Sequence, residues 1–238
     1  DYFQATKGGG HGDYHLITLA PSSVQEMCDF VGLGWDLAFK YRTPAIILAD
    51  GVVGQMMEKV VLPPQRKRLT DEEVRERCPW ATTGRHGRNT RNVVTSLELD
   101  SDKMEVNNER FQRTYRLIEE NEVRFEEIYT DDCDYLIVAF GSVARISQKA
   151  VEMARKEGIK IGILRPITLW PFPKDEVKRL GQKSKGVLVV EMNAGQMIED
   201  VKLAVGNDIP VEHFGRLGGI VPSPDEILEA FKQKFINK

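Results

Sequence analysis

Short apolar runs alternate along the chain with longer stretches of mixed polarity, and their periods predict the elements. Residues 14–20, YHLITLA, form an apolar run closed by Pro21 and predict a strand. From Ser22 the period changes. Met27, Phe30, Val31, Leu37 and Ala38 recur at helical spacing, behind two overlapping caps, Ser22 with Gln25 and Ser23 with Glu26. Gly32 and Gly34 weaken the middle of that helix and suit close packing against a sheet or another chain. Residues 43–50, TPAIILAD, are a β-branched apolar run of the kind buried in a parallel sheet. Strand, helix and strand in this order predict a βαβ unit.

The middle of the chain is weakly patterned. VVLPPQRKRL carries Pro63, Pro64 and a basic run, marking an exit from the first domain. Thr70 and Glu73 form a capping box for a short helix stopped by Pro79, and residues 79–92 read as an irregular excursion. Residues 103–129 predict one long polar helix with a thin apolar stripe at Phe111, Tyr115, Ile118, Val123 and Phe125. Alternation then returns. YLIVAFGS predicts a strand and tight turn before a helix at 147–157. KIGILRP, KGVLVVEM and IPVEHF predict strands, with helices at PFPKDEVKRL and GQMIEDVKLAV. Ser223, with Pro224 and Glu226 behind it, opens a last helix. These β–α steps predict a small doubly wound α/β domain. The expected division is 1–62, a linker at 63–130 holding the short and long helices, and 131–238.

Composition narrows the function classes. The 238 residues carry a net charge of -3, with 41% hydrophobic and 29% charged positions. That balance gives no reason to expect nucleic acid or an anionic membrane as partner. The longest apolar runs, AIILA and YLIVAF, fall short of the ~18 residues needed to cross a bilayer. No basic-then-apolar leader opens the chain, so a cytoplasmic location is expected. The chain starts at Asp1 without an initiator Met, in a polar stretch instead of an element, which reads as a fragment missing its earlier part. Cys28, Cys78 and Cys133 show no C-x-x-C spacing, which argues against an iron–sulfur cluster or structural zinc here.

Four stretches could carry chemistry. KGGGHGDYH, residues 7–15, is glycine-rich, but Lys7 precedes the glycines and no Ser or Thr follows a Gly-Lys pair, so it is no Walker loop. Gly8 and Gly10 have dinucleotide spacing, yet Asp13 stands at the third glycine position and the run precedes a strand. It is either a glycine hinge or bare backbone (Gly8, Gly9, Gly10, with His11) able to lie against a ligand or partner chain. AFGSVARI, residues 139–146, leaves a strand and enters a helix. Ser142 and Arg145 there could hold an anion, or the stretch is a simple βα turn. GQMMEKV follows the second strand, where α/β sheets bind ligands, so Asp50, Gln55, Met56 and Met57 are pocket candidates. His11, His15, His86 and His213 form no ligand spacing, and no metal site is expected.

These phrases taken together carry a resemblance. DYFQATKGGGHGDY, LAPSSVQE, KYRTPAIILADGVVGQMMEKVVLP and GILRPITLWPFP resemble the alpha subunit of 2-oxoacid:ferredoxin oxidoreductases, nearest the 2-oxoisovalerate group and its 2-oxoglutarate relatives. The resemblance implies a transketolase-like α/β architecture. Part of a thiamine-diphosphate pyrimidine-facing domain would be followed by a domain similar to the transketolase C-terminal domain. It implies oxidative decarboxylation of a 2-oxoacid to acyl-CoA and CO2, with electrons passing to ferredoxin. A beta subunit would hold the diphosphate and Mg2+, and iron–sulfur clusters would sit on other subunits, including a small ferredoxin-like gamma chain. The glutamate that such chains present to the pyrimidine is expected upstream of Asp1, so no catalytic residue is assigned. Glu26 is accounted for by the cap, and Glu58 by an exposed loop. The glycines at 8–10 would serve backbone approach at a subunit junction. The contrasting classes are a non-catalytic scaffold module and a nucleotide-binding regulator, the latter weakened by both glycine turns.

Overall fold

The computed structural model describes residues 1–237 apart from 86 and 89. In chain order the elements are α1 (Tyr2–Thr6), β1 (Ile17–Leu19), α2 (Val24–Tyr41), β2 (Ala45–Ile47), α3 (Gly51–Gln55), α4 (Asp71–Arg77) and α5 (Ser101–Asn121). Then follow β3 (Phe125–Ile128), β4 (Tyr135–Ala139), α6 (Gly141–Lys156), β5 (Ile161–Pro166), β6 (Thr168–Trp170), α7 (Lys174–Lys183), β7 (Val187–Glu191), α8 (Met197–Val205), β8 (Val211–Gly215) and α9 (Pro224–Phe235). The chain divides into two compact units, residues 1–61 with 112–238, and residues 62–111.

The larger unit holds two sheets. A three-stranded sheet runs β2-β1-β6, with β1 parallel to β2 as the βαβ pattern predicts. The helix between them starts at Ser23, whose side chain accepts the Glu26 N–H at 3.1 Å. The second sheet runs β3-β5-β4-β7-β8, parallel except for β3. Alternating residues of its strands face opposite ways. Leu136, Val138, Val187 and Val189 pack with α7 and α8, whereas Ile137, Ala139, Leu188 and Val190 pack with α6 and α9. Helices on both faces make this the expected doubly wound α/β layer. Fully burying each such Val, Leu or Ile contributes about 1.5–3 kcal/mol. The last helix opens on the expected capping box, Ser223 with Glu226.

Three local expectations are corrected, and one unforeseen strand is added. The opening stretch is not irregular, because Tyr2–Thr6 is helical and Tyr2 is buried in the core. The polar helix stops at Asn121 rather than near 129. Glu122 turns inward, accepting Lys40 Nζ and Tyr41 Oη at 2.7 Å each, and β3 then pairs antiparallel with β5. Pairing against an open sheet edge outweighs the weak helical stripe. Residues 168–170 form β6 and pair with β1, joining the first sheet from a distant point in the chain. Finally, α6 begins at Gly141, directly after β4, so no separate turn precedes it.

The smaller unit is organised locally. Thr70 and Glu73 cap α4 reciprocally. Asn92 Nδ2 donates to the carbonyls of Pro79 and Ala81, at 2.5 and 2.9 Å, closing the 79–92 loop. Among its described residues none is fully buried.

Candidate functional site

The carboxyl ends of β2, β4 and β7 converge on a cavity of about 610 Å³. Its wall includes Leu48, Asp50, Gln55, Phe140, Glu191 and Met192. Two carboxylates organise it. Asp50 follows β2, and its Oδ1 accepts the Val52 and Val53 N–H groups at 3.0 and 2.9 Å, capping α3. Its Oδ2 accepts the Ser142 N–H at 2.8 Å, so the same side chain also sits at the start of α6. Gly141 is required beside it: φ is +65°, and a Cβ would lie 2.8 Å from Asp50 Oδ2. Glu191 ends β7, is 1% exposed, and accepts the N–H groups of Gln196, Met197 and Ile198 at the start of α8.

These contacts place the residues expected from sequence. Asp50 and Gln55 line the cavity together. Met57 does not, being fully exposed, and Met56 packs its Sδ 3.8 Å from Arg145 Nη1. At Ser142 and Arg145 the position expected for an external anion is held by internal carboxylates. Ser142 donates to Asp50, while Arg145 pairs with Glu58 at 2.8 Å. Glu58 also accepts the Val24 N–H at 3.0 Å. That bond first, and Arg145 second, hold its carboxyl below the usual range. Gly8, Gly9, Gly10 and His11 lie outside this cavity, in a loop folded on itself by the Gly9 N–H donating to Tyr14 Oη at 2.8 Å.

The histidines are dispersed. His15 stacks on Trp170 with centroids 4.6 Å apart, and burial lowers its pKa. His213 Nε2 lies 3.8 Å from Glu191, and burial lowers its pKa as well. His86 lies outside the described residues.

Three features were missed from sequence. Glu191 closes the apolar run KGVLVVEM, and a charge in that place is itself a signal. Tyr2 Oη donates to Asp200 Oδ2 at 2.5 Å, and Lys7 pairs with the same carboxylate, tying the opening helix to α8. Burial and Asp200 push the Tyr2 phenol pKa far upward. Arg165 is buried in β5 and forks onto both oxygens of Glu26, at 2.8 and 2.7 Å, while reaching Glu126 at 2.8 Å. Glu26 is therefore a half-buried ion-pair partner of Arg165 besides its place at the cap.

Residues 1–123 match the family model for the pyruvate flavodoxin/ferredoxin oxidoreductase, thiamine-diphosphate-binding domain. The chain belongs to this oxidoreductase family. Residues 133–227 match pyruvate:ferredoxin oxidoreductase core domain II. Among curated relatives, the ketoisovalerate oxidoreductase subunit VorB of Methanothermobacter thermautotrophicus is 44% identical over 98% of this chain and 64% of its own length. The 2-oxoglutarate synthase subunit KorA of Methanothermobacter marburgensis is 35% identical over 96% of this chain and 66% of its own. The chain thus spans about two thirds of the relatives it matches. Its fold is similar to that of the 2-oxoglutarate:ferredoxin oxidoreductase from Magnetococcus marinus, with a TM-score of 0.76 at 21% identity, covering 98% of this chain and 44% of that one. No described helix is long and apolar enough to cross a membrane.

The cavity does not fit a diphosphate. Among the described residues no Lys or Arg lines it, and the Ser142 N–H opening α6 and the Met197 N–H opening α8 already serve Asp50 and Glu191.

Proposed function

We propose that this chain is one subunit, of the alpha type, of a thiamine-diphosphate-dependent 2-oxoacid:ferredoxin oxidoreductase, and that its oxoacid is branched and apolar, of the 2-oxoisovalerate kind. The observation that carries the reading is the 44% identity to a ketoisovalerate oxidoreductase subunit across 98% of the chain, against 35% for a 2-oxoglutarate relative. The reaction of the whole complex is oxidative decarboxylation to acyl-CoA and CO2, with electrons passing to ferredoxin. The diphosphate and Mg2+ fall to a beta subunit, and the iron–sulfur clusters to other subunits. This fits a cavity whose anion-binding donors are occupied by its own carboxylates.

On this reading the chain supplies walls and contact surfaces. Asp50 fixes α3, and thereby Gln55, while Leu48, Phe140 and Met192 give the cavity an apolar side suited to a branched substrate. Half-buried Gly8 and the exposed Gly9, Gly10 and His11 serve the junction with a companion subunit. A second reading, 2-oxoglutarate as substrate, draws on Arg85, Arg88 and Arg91 as partners for a distal carboxylate. Against it, Arg85 and Arg88 spend guanidinium donors on loop carbonyls. Viologen reduction by the assembled complex separates the readings. Faster turnover of 2-oxoisovalerate supports the first, faster turnover of 2-oxoglutarate the second, and turnover without this chain leaves it a scaffold.

A further inference from the structure

We propose, resting on the 2-oxoacid reading above, that Gln55 sets the oxoacid preference of the complex. The cavity beyond β2, β4 and β7 receives the side chain of the substrate, and the neutral carboxamide in its wall leaves a second carboxylate without a counter-charge.

Gln55 stands apart because the other polar side chains named around the cavity hold the protein together. Asp50 accepts three N–H groups, from Val52, Val53 and Ser142. Glu191 accepts the N–H groups at the start of α8 and also Asn193 Nδ2 at 3.1 Å. Asn193 Oδ1 in turn takes the Gly195 N–H at 2.7 Å, and Gln196 Oε1 takes the Phe3 N–H at 3.2 Å. Tyr2 donates to Asp200. The Gln55 carboxamide lines the same cavity and makes no hydrogen bond among the described residues.

Its backbone, by contrast, is fixed. Asp50 caps the start of α3, and the Met56 N–H closes the end by donating to the carbonyls of Val52 and Val53 at 3.1 and 3.3 Å. An uncommitted side chain on a held backbone can meet a ligand without disturbing the fold.

Charge decides what it selects. Asp1, Asp50 and Glu191 give the wall three carboxylates, and among the described residues no Lys or Arg lines it. Leu48, Phe140, Val143 and Met192 supply apolar surface. A branched hydrocarbon side chain entering this space leaves water for apolar contact, which is favourable. The distal carboxylate of a 2-oxodicarboxylate would leave water, meet like charges and have no cation to pair with. A cation at position 55 would remove that penalty, and a further carboxylate there would deepen it.

The test uses the assembled complex carrying Gln55→Lys or Gln55→Glu, with kcat and KM measured for 2-oxoisovalerate and 2-oxoglutarate by viologen reduction. Lysine offers the distal carboxylate a charge-assisted hydrogen bond. It should raise the 2-oxoglutarate to 2-oxoisovalerate ratio of kcat/KM by about tenfold, chiefly through KM. Glutamate adds a like charge and should lower the ratio. Size-exclusion chromatography and far-UV circular dichroism check assembly and fold. A ratio within about twofold of wild type in either assembled variant, or one that moves the same way in both, would overturn the proposal. A wild-type preference for 2-oxoglutarate would remove the branched-substrate reading, and Gln55 would still be judged by the change of ratio from wild type.

Discussion

Replacing Arg165 by Met probes how the larger unit is held together. The side chain is 5% exposed, and its guanidinium donates to both oxygens of Glu26, to Glu126 and to Ser22 Oγ. Methionine fills most of the stem volume but removes every donor. Glu26, with a quarter of its side chain exposed, keeps only the Ser22 N–H and hydroxyl at 2.7 and 3.0 Å. Removing one partner of a buried pair costs about 3–5 kcal/mol. The donors and water left to Glu26 bring the expected loss to about 2–3 kcal/mol. At this chain length that lowers Tm by about 5–10 °C. The pH dependence fixes the cause. In the native protein burial pushes the Glu26 carboxyl up, but Arg165 and Ser22 outweigh it, and the net shift is downward. Its contribution is therefore present above the unfolded value of ~4.3 and lost as pH falls through the lower folded value. Without Arg165, burial prevails and Glu26 takes up a proton at higher pH. Urea unfolding should then show a deficit near neutrality that shrinks toward about pH 5. A deficit below about 1 kcal/mol at neutral pH, or one that deepens on acidification, would refute the reasoning.

Three further outcomes are expected. Gly141→Ala places a Cβ against Asp50 at a φ of +65° and should cost about 1–3 kcal/mol by urea unfolding; a neutral result would mean the helix start tolerates displacement. His15 is half-buried, and that burial lowers its pKa, so the unfolded chain binds its proton first and stability should fall as pH drops below ~6.5. His15→Phe keeps a ring against Trp170 and should flatten that fall in a pH series of melting curves, and an unchanged slope would assign it elsewhere. Gly9→Val with Gly10→Val, at exposed positions with ordinary φ, should weaken assembly or turnover of the complex while leaving the isolated chain folded. Full activity of the assembled complex would remove the junction role.

The order of elements was legible because its causes are local. The caps at Thr70 and Ser223 act within three residues, and the apolar runs at β4, β5 and β7 are continuous because both faces of a parallel sheet are covered. Asp50 and Gln55 were legible as cavity residues for a related reason. They follow a buried strand, and strand ends in such sheets converge.

What the sequence alone determined is therefore the set of strands and helices whose signals lie within a few neighbours, together with the family those phrases resemble. The tertiary structure decided what β3 and β6 pair with, what Arg165 and Glu26 do across 139 positions, and why the helix starts near the cavity hold Asp50 and Glu191 instead of a ligand. Edge pairing, buried charge neutralisation and the filling of orphan N–H groups depend on which distant side chain arrives within about 3 Å, and no period or cap in the chain encodes that approach.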